Sequence, residues 1–464
     1  MERWISRGIV LSLLPACAGA PASDAETDDS NEWPNDSSTS LTGTVGDSTT
    51  TAPPMDTETE TETETETGEP PPMSACMDLP AAATAMWQSS AEVESTAVST
   101  PERMAEAGTR TWPLALALLR ATDSVAHPSI ASSPTTMAIA LGMSHLRWQS
   151  DMCGTSIRAV VGWSEDGDAL HETLGASIGA LRSRSLPEDA DVDPVVVGLH
   201  PSTWELAGGG SEPSPVFGGT ANTVSKDGEG ALAAINEVMN CVIEEQSQGL
   251  LTDFLPEGQP AADTSSYELL VSFLQAPWAI TMYEDDPLAF TRDGGEAVEL
   301  PAMFGAVSEA GYYSDESFVA VELPLRGNEL VVQLVMPQAD AFDDLAAFVA
   351  ALDEDQLALV RDTAQQGVVE LTMPTFTIDS STIDYYEPLG FECPQFTMRK
   401  VLHGATVAID VKGIRAAAAS ADEGWDTGTG PGETIAVVQL DRPFLFFVYD
   451  RATTNVLYSG RYAG

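Results

Sequence analysis

The cysteines and histidines carry reactive side chains, and their spacing suits disulfide bonds rather than a metal site. Apart from Cys17, the cysteines are Cys76, Cys153, Cys241 and Cys393. An even number in an exported protein permits two disulfides, with three possible pairings. None of the four lies in a CxxC pair, and the histidines form no HExxH motif. Because zinc sites usually draw on such paired ligands, we expect no metal and no other cofactor.

A second chemical feature is a run of small residues that leads into a glycine-rich loop near the C-terminus. Residues 409–415 have the composition of a strand. The residues that follow lack bulk and charge and are Ala416, Ala417, Ala418, Ala419 and Ser420. Glycines and a proline in 422–432 deny that segment a regular structure, and a strand resumes at 435–440. The sequence therefore predicts a hinge and a long surface loop between two buried strands.

The N-terminus predicts export. Two arginines precede the apolar run 8–14, which is too short to span a membrane and is followed by small residues, as in a secretory signal. Residues 14–17 resemble the lipobox of bacterial lipoproteins, in which the cysteine, here Cys17, becomes the lipidated first residue. The alternative is a plain signal peptide cut after Ala18 or Ala20. We interpret 1–17 as a lipoprotein-type signal peptide. We therefore expect a protein that a lipid anchors at the cell envelope, at the outer membrane. With the plain signal peptide, the protein would instead be secreted and extracellular.

Residues 18–75 are expected to form a disordered acidic linker. They are rich in threonine, glutamate, serine and proline, and 57–67 alternates threonine with glutamate. Such a segment cannot bury enough apolar surface to fold, and its like charges keep it extended. The whole chain has 71 acidic and 20 basic residues and a formal net charge of −51. This charge argues against nucleic acid or an anionic membrane as a partner, so the N-terminal lipid is the expected membrane contact.

Residues 76–464 are predicted to form one α+β domain, because no second linker of similar composition follows. Helical patterns dominate the first half, including 112–119, 231–246 and a helix that Ser133 caps. The second half consists mainly of apolar runs typical of strands covered on both faces, at 267–275, 318–325, 330–336, 368–378, 405–411 and 444–449. Helices first and strands later, without regular alternation, indicate an α+β fold.

The segment near the end of the chain resembles the signature of the serpins, the serine protease inhibitor family. Its motif residues are Asp441, Arg442, Pro443 and Phe444, within 438–448 and followed by 457–461. Four more segments resemble serpin segments in the expected order and lie at 132–141, 235–251, 322–337 and 369–378. The resemblance extends from about residue 90 to the end and is weak in 155–230, where helices and strands look short. It implies a serpin fold, with large mixed and antiparallel sheets and an exposed reactive loop near the C-terminus.

The resemblance implies inhibition rather than catalysis. A serpin is a metastable fold whose loop offers a bait peptide bond to a serine endopeptidase, or in some cases a cysteine endopeptidase. After acylation, the cut loop inserts as a new central strand of the main sheet and distorts the protease. The family spacing from Gly413 puts the scissile bond at Thr427–Gly428, next to Trp425 and Asp426. Because this loop is longer than usual, any bond from 425–426 to 430–431 stays open.

The hinge residues must enter a packed sheet if the loop inserts. Gly413 permits the bend, and alternate residues then face the core. The inward-facing set would be Ile414, Ala416, Ala418, Ser420, Asp422, Gly424 and Asp426. Arg415 would face outward, and the small inward residues fit well. Asp422 and Asp426 fit badly, because an unpaired carboxylate is costly to bury. The alternative function is therefore a non-inhibitory surface or binding protein with a serpin fold.

By the same resemblance, Ser133, Thr136 and His403 correspond to the hydrogen-bonded shutter cluster that gates opening of the sheet. The asparagine that the family uses there has no clear match, and Ser272 is the nearest candidate. A lone histidine at the edge of a strand is also explained by a purely structural role. Ser133 has a second explanation as a helix cap.

The loop sequence bears on the target protease. Trp425 suits the pocket of a chymotrypsin-like enzyme, or else packs against its own loop. Residues 416–439 contain no arginine or lysine and include three acidic residues in 422–426, which argues against a trypsin-like target. We expect a monomer whose partner is a serine protease.

Overall fold

The computed structural model describes residues 76, 79, 81–149, 151–164, 167–189, 192–206, 212–339, 341–394, 397–416 and 434–464. All of them belong to one compact unit, Glu66–Gly464. The predicted signal peptide, all of the predicted linker and residues 417–433 of the predicted loop lie outside the described residues.

Helices lie mainly in the first half of the chain. They are α1 (Ala81–Met86), α2 (Pro101–Thr109), α3 (Thr111–Ala121), α4 (Pro134–Trp148), α5 (Met152–Val161), α6 (Asp168–Arg182), α7 (Ala231–Gln246), α8 (Leu345–Ala351) and α9 (Glu354–Thr363). Helix α4 begins where predicted, because Ser133 Oγ accepts the N–H of Thr136. Asp353 and Gln356 form a capping box at the start of α9. In the described ranges, no helix has the length and apolar character needed to cross a membrane.

The strands lie mainly in the second half. They are β1 (Trp87–Ser89), β2 (Ile130–Ser132), β3 (Val196–Glu205), β4 (Thr220–Val224), β5 (Ser266–Pro277), β6 (Tyr283–Thr291), β7 (Ala297–Ser314), β8 (Phe318–Pro324), β9 (Leu330–Pro337), β10 (Gln365–Pro374), β11 (Phe376–Asp379), β12 (Ile383–Asp384), β13 (Leu402–His403), β14 (Thr406–Asp410), β15 (Gly413–Ala416), β16 (Thr434–Gln439), β17 (Phe444–Asp450) and β18 (Val456–Tyr462).

The first large sheet has the order β1-β4-β3-β5-β15-β14-β11. The short hinge strand β15 lies at its centre, between β5 and β14, and is antiparallel to both. Ile414 is opposite Ala276 on one side and Ile409 on the other. The predicted hinge residues therefore begin a strand inside this sheet.

The second large sheet has the order β16-β10-β7-β8-β9-β17-β18-β2, with β6 paired to β7. Every residue of β8, β9 and β17 is buried, which accounts for their continuous apolar sequences. The small strands β12 and β13 pair with each other. Mixed sheets together with an early group of helices confirm the predicted α+β class.

Apolar packing covers the first sheet on both faces. On one face, Leu141 of α4 shares a buried cluster with Leu274 and Ile414 of the sheet. On the other face, α7 packs through Ile235 and other apolar side chains on strands β3, β4 and β5. A third cluster lies between the second sheet and helices α3, α8 and α9. Helices therefore cover both faces of the first sheet.

The four cysteines beyond Cys17 form two disulfides, which gives the pairing that the sequence left open. Cys76 is bonded to Cys241, so the chain before α1 is attached to α7. Cys153 is bonded to Cys393, so α5 is attached to the segment before β13.

Two local expectations differ from the structure. Residues 368–378 were expected as one strand but form β10 in the second sheet and β11 in the first. The break lies after Pro374: Thr375 still donates its N–H to the carbonyl of Pro301 in β7, whereas Phe376 already pairs with Ile409 in the first sheet. The region 155–230 looked short of regular structure, yet it contains all 15 residues of α6 and the 10 residues of β3.

Candidate functional site

The hinge begins at a glycine that no other residue could replace without strain. Gly413 has a φ of 149°, and a Cβ atom added there would lie 2.2 Å from the carbonyl oxygen of Ala276. Close approach of this kind requires glycine. It allows β15 to turn back from β14 and lie directly against β5.

Beyond Gly413, successive side chains of β15 alternate between the faces of the sheet. Ile414 is fully buried on the face that α4 covers. Arg415, expected to face outward, is partly buried, and its Nε has no hydrogen-bond partner among the described residues. Ala416 continues the ladder opposite Leu274. Residues Ala417, Ala418, Ala419 and Ser420 lie outside the described residues.

The upper end of β5 is tied to the chain that enters the hinge. Trp278, which directly follows β5, is 6% exposed and donates its indole N–H to the carbonyl of Asp410 at 2.8 Å. Its backbone N–H donates to the carbonyl of Lys412. Trp278 therefore holds the end of β14 beside β5 at the point where β15 enters. The sequence alone does not distinguish this residue, because one tryptophan in an apolar run resembles ordinary core.

Further down the same sheet, the predicted shutter residues are brought together. Ser133 donates its backbone N–H to Nε2 of His403 at 2.8 Å. Its Oγ lies 2.6 Å from Oγ1 of Thr136, which donates in turn to Oγ of Ser272 at 2.8 Å. The hydroxyl of Tyr458 completes the chain of contacts 2.9 Å from Ser272 Oγ. These five residues, which we call the polar cluster, join α4, β5, β13 and β18.

Burial sets the protonation of the polar cluster. It lowers the pKa of His403 to about 4, so the imidazole is neutral at pH 7 and its Nε2 can accept a hydrogen bond. It also raises the pKa of Tyr458 to about 12, which keeps the phenol protonated. The cluster is thus a neutral network of buried hydrogen bonds. Ser272, the nearest candidate for the asparagine that the sequence lacks, belongs to this network.

Below β15, a cavity of about 470 Å³ separates β5 from the chain at 397–406. In the described part of the chain, β5 pairs only with β3 and β15, so no strand occupies this space. The polar cluster lies at one end and the ion pair of Arg147 and Glu268 at the other. Apolar side chains of α4 form one wall, and Met239 and Ile243 of α7 form the other. We call this space the slot, because it has the position of a missing central strand.

The predicted signature residues position the chain after the loop. Arg442 Nε lies 2.9 Å from Asp441 Oδ1 in a partly exposed pair. Pro443 then introduces the buried strand β17, where Phe444 is fully buried against the rings of Phe376 and Tyr462. In this structure, the contribution of the signature residues is packing.

The predicted scissile bond at Thr427–Gly428 and its neighbours Trp425 and Asp426 lie outside the described residues. The structure describes no group of metal-binding side chains in the ranges it covers.

Known proteins resemble this chain in sequence and in fold. The family model described as Serpin (serine protease inhibitor) matches residues 216–390 and 391–464. An uncharacterized serpin-like protein of Thermococcus kodakarensis is 23% identical over 261 residues, which cover 52% of this chain and 59% of that protein. Another from Pyrobaculum aerophilum is 28% identical over 252 residues, covering 50% and 64%. The chain spans less than two thirds of the length of these curated relatives.

Solved structures share the fold at low sequence identity. Human thyroxine-binding globulin has a TM-score of 0.63 and 17% identity, with 78% of this chain and 99% of that chain covered. Tengpin, a thermophilic serpin, has a TM-score of 0.62 and 16% identity in its native state, with 80% and 96% covered.

Proposed function

The chain belongs to the serpin family, and from that membership we propose that it inhibits a serine endopeptidase by a loop-insertion mechanism. The protease would attack the bait bond at Thr427–Gly428 and form an acyl-enzyme. The cut loop would then enter the slot as a new central strand and carry the acylated protease with it. The protein would act once as a suicide substrate and not as an enzyme.

The observation that carries this proposal is the position of β15. Its residues already lie between β5 and β14 as the first part of a central strand, with Ile414 buried as an inserted side chain would be. The residues after Ala416 are small, so they would continue the ladder with little steric resistance. Each added residue would gain backbone hydrogen bonds on both sides, which supplies a driving force for insertion.

We assign the polar cluster and Trp278 the role of controlling entry to the slot. The cluster ties α4 to β5 and β13 through side-chain hydrogen bonds, and Trp278 ties β5 to the end of β14. Beyond Ala416, a strand that continues between β5 and β14 must pass the polar cluster, whereas the contacts of Trp278 hold the point at which the strand enters the sheet. Buried neutral hydrogen bonds of this kind form two-state elements, since a partly broken network leaves unsatisfied polar groups.

A second candidate function is a non-inhibitory surface or binding protein. It is favoured by Asp422 and Asp426, which would face the core after insertion. Thyroxine-binding globulin, with a similar fold, is a member whose name describes binding of a small molecule. In this alternative, the loop would be cut without entering the slot.

Incubation with proteases separates the two candidates. The purified domain is mixed with elastase-like, subtilisin-like and chymotrypsin-like enzymes and examined on denaturing gels. A covalent complex with any of them, together with loss of that protease's activity, is the expected result. Clean cleavage in the loop with every protease fully active would favour the binding protein.

We further propose that Cys17 is lipidated and that the protein is held at the cell envelope. The sequence of residues 14–17 and the acidic segment 18–75 support this location. The protein would then inhibit proteases that reach the cell surface from the surroundings.

A further inference from the structure

The register of β15 indicates where the acidic residue Asp422 of the loop would lie after insertion. Ala416 is opposite Leu274 on the antiparallel strand β5. Each later loop residue would therefore pair with the preceding residue of β5, which continues as one strand to Ser266. Asp422 would come to lie directly opposite Glu268. The register ends before Asp426, because its partner would precede the first residue of β5.

The face of the sheet is fixed by contacts of β5 with α4. Leu274 shares the apolar cluster of Leu141, and Ser272 accepts a hydrogen bond from Thr136. Glu268, on the same face, contacts Arg147 in the last turn of α4. Alternate residues share a face, so Ile414 and Asp422 would also point towards α4. Asp422 would thus enter the end of the slot that contains Arg147.

The guanidinium group of Arg147 is placed to bind carboxylates. Its Nε lies 3.0 Å from Glu268, its Nη2 contacts Glu205, and its Nη1 donates to Ser266 Oγ at 3.1 Å. The guanidinium is a planar fork that can engage more than one carboxylate. Its side chain is one third exposed and lines the slot, so it is within reach of an incoming strand.

We propose that Arg147, together with Glu268, is the receptor site for the carboxylate of Asp422 when the loop inserts. Asp422 looks incompatible with insertion, because its carboxylate would be buried. At this site the carboxylate would have a partner once the loop has inserted. This inference rests on the proposed function, because it requires the loop to enter the slot.

The charge balance at this site depends on the protonation of Glu268, because Arg147 already contacts two carboxylates, those of Glu205 and Glu268. Two adjacent carboxylates would repel each other across the ladder. Burial raises the pKa of Glu268 to about 7 although Arg147 lies beside it, so Glu268 takes up a proton readily near neutral pH. A protonated Glu268 can donate a hydrogen bond to Asp422, while Arg147 stays ionised between Asp422 and Glu205.

Variants of two neighbouring loop residues test this pairing without altering the body of the protein. Asp422→Arg would bring a second cation against Arg147, whereas Glu423→Arg changes the same charge on the opposite face. The loop is cut between residues 425 and 431 by an added protease, and insertion is followed as the rise in resistance to thermal unfolding. We expect insertion of Asp422→Arg to be roughly tenfold slower than that of Glu423→Arg.

A double-mutant cycle then assigns the effect to Arg147. Arg147→Gln should slow insertion, and adding Asp422→Asn should restore the rate, whereas adding Glu423→Gln should not. Equal rates for Asp422→Arg and Glu423→Arg, or no rescue by Asp422→Asn, would overturn the receptor site while leaving loop insertion intact. A wild-type protein that gains no thermal resistance on cleavage would overturn the proposed function, and this inference with it.

Discussion

At the scale of single residues, the polar cluster depends on a neutral His403. Its Nε2 accepts the N–H of Ser133, and a protonated imidazole could not do so. Burial holds the pKa of His403 at about 4, below the value of about 6.5 for a solvated histidine. Between these values the unfolded chain binds a proton that the folded protein does not. Stability contributed by neutral His403 is therefore complete above pH ~6.5 and is lost as pH falls towards 4.

We expect this loss to disappear when His403 is replaced by a residue that accepts a hydrogen bond but does not titrate. On going from pH 7 to pH 5, the free energy of unfolding of the wild type should fall by about 2 kcal/mol more than that of His403→Gln. Urea unfolding of both proteins at the two pH values measures this difference. Parallel losses would mean that other groups cause the acid sensitivity.

Ala418 is the hinge residue at which a charge should be most harmful to inhibition. Continuing the register of β15 puts it opposite Ser272, on the face that α4 covers. Ala418→Asp should convert an inhibitor into a substrate, because the buried carboxylate would block insertion. The uncut protein should change in stability by only about 0.5 kcal/mol or less. Ala418→Ser is the control and should still form covalent complexes, as seen on denaturing gels. If Ala418→Asp forms them equally well, the hinge does not insert here.

At the scale of helices and strands, the sequence predicted those features that depend on residues close together in the chain. The cap at Ser133 and the apolar spacing in 231–246 gave the start of α4 and the bounds of α7. The split between β10 and β11 could not be predicted, since it depends on which sheet each half joins. At the site, the resemblance predicted Ser133, Thr136 and His403, whereas Trp278 looked like ordinary core. Its role appears only through a contact with the distant Asp410.

The disulfide Cys76–Cys241 should govern the motion of one particular group of elements. It attaches the chain before α1 to α7, while Trp87 of β1 stacks on Trp204 of β3 and donates to Asn222 of β4. The double variant Cys76→Ser/Cys241→Ser should lose about 2–5 kcal/mol of stability. Hydrogen exchange should become faster in α1, β1 and α7 first.

The second disulfide supplies the matched control. Cys153→Ser/Cys393→Ser removes a bond of the same kind from α5 and should leave exchange in α7 unchanged. Equal acceleration of α7 in both double variants would mean that the two bonds act only on global stability.

At the scale of the whole molecule, the chain is strongly acidic, and arginine side chains form contacts inside the fold. The chain carries a net charge of −51. Buried Arg461 donates to the carbonyls of Leu119 and His127, and Arg184 pairs with the fully buried Asp450. These guanidinium groups connect distant parts of the fold and are not presented to an external partner. The surface is therefore left strongly acidic, which favours solubility and opposes binding to polyanions.

The N-terminal segment before the domain bears on where the protein would act. A flexible chain as long as residues 18–75 has an end-to-end distance of about 40 Å, and charge repulsion extends it further. Lipid on Cys17 would thus hold the domain clear of the membrane but close to it. We expect Cys17→Ser to release the protein from the membrane fraction, with the thermal unfolding of the folded domain unchanged. Fractionation with mass spectrometry of the mature N-terminus measures this, and wild-type protein that is soluble and cut after Ala18 or Ala20 would make it a freely secreted inhibitor.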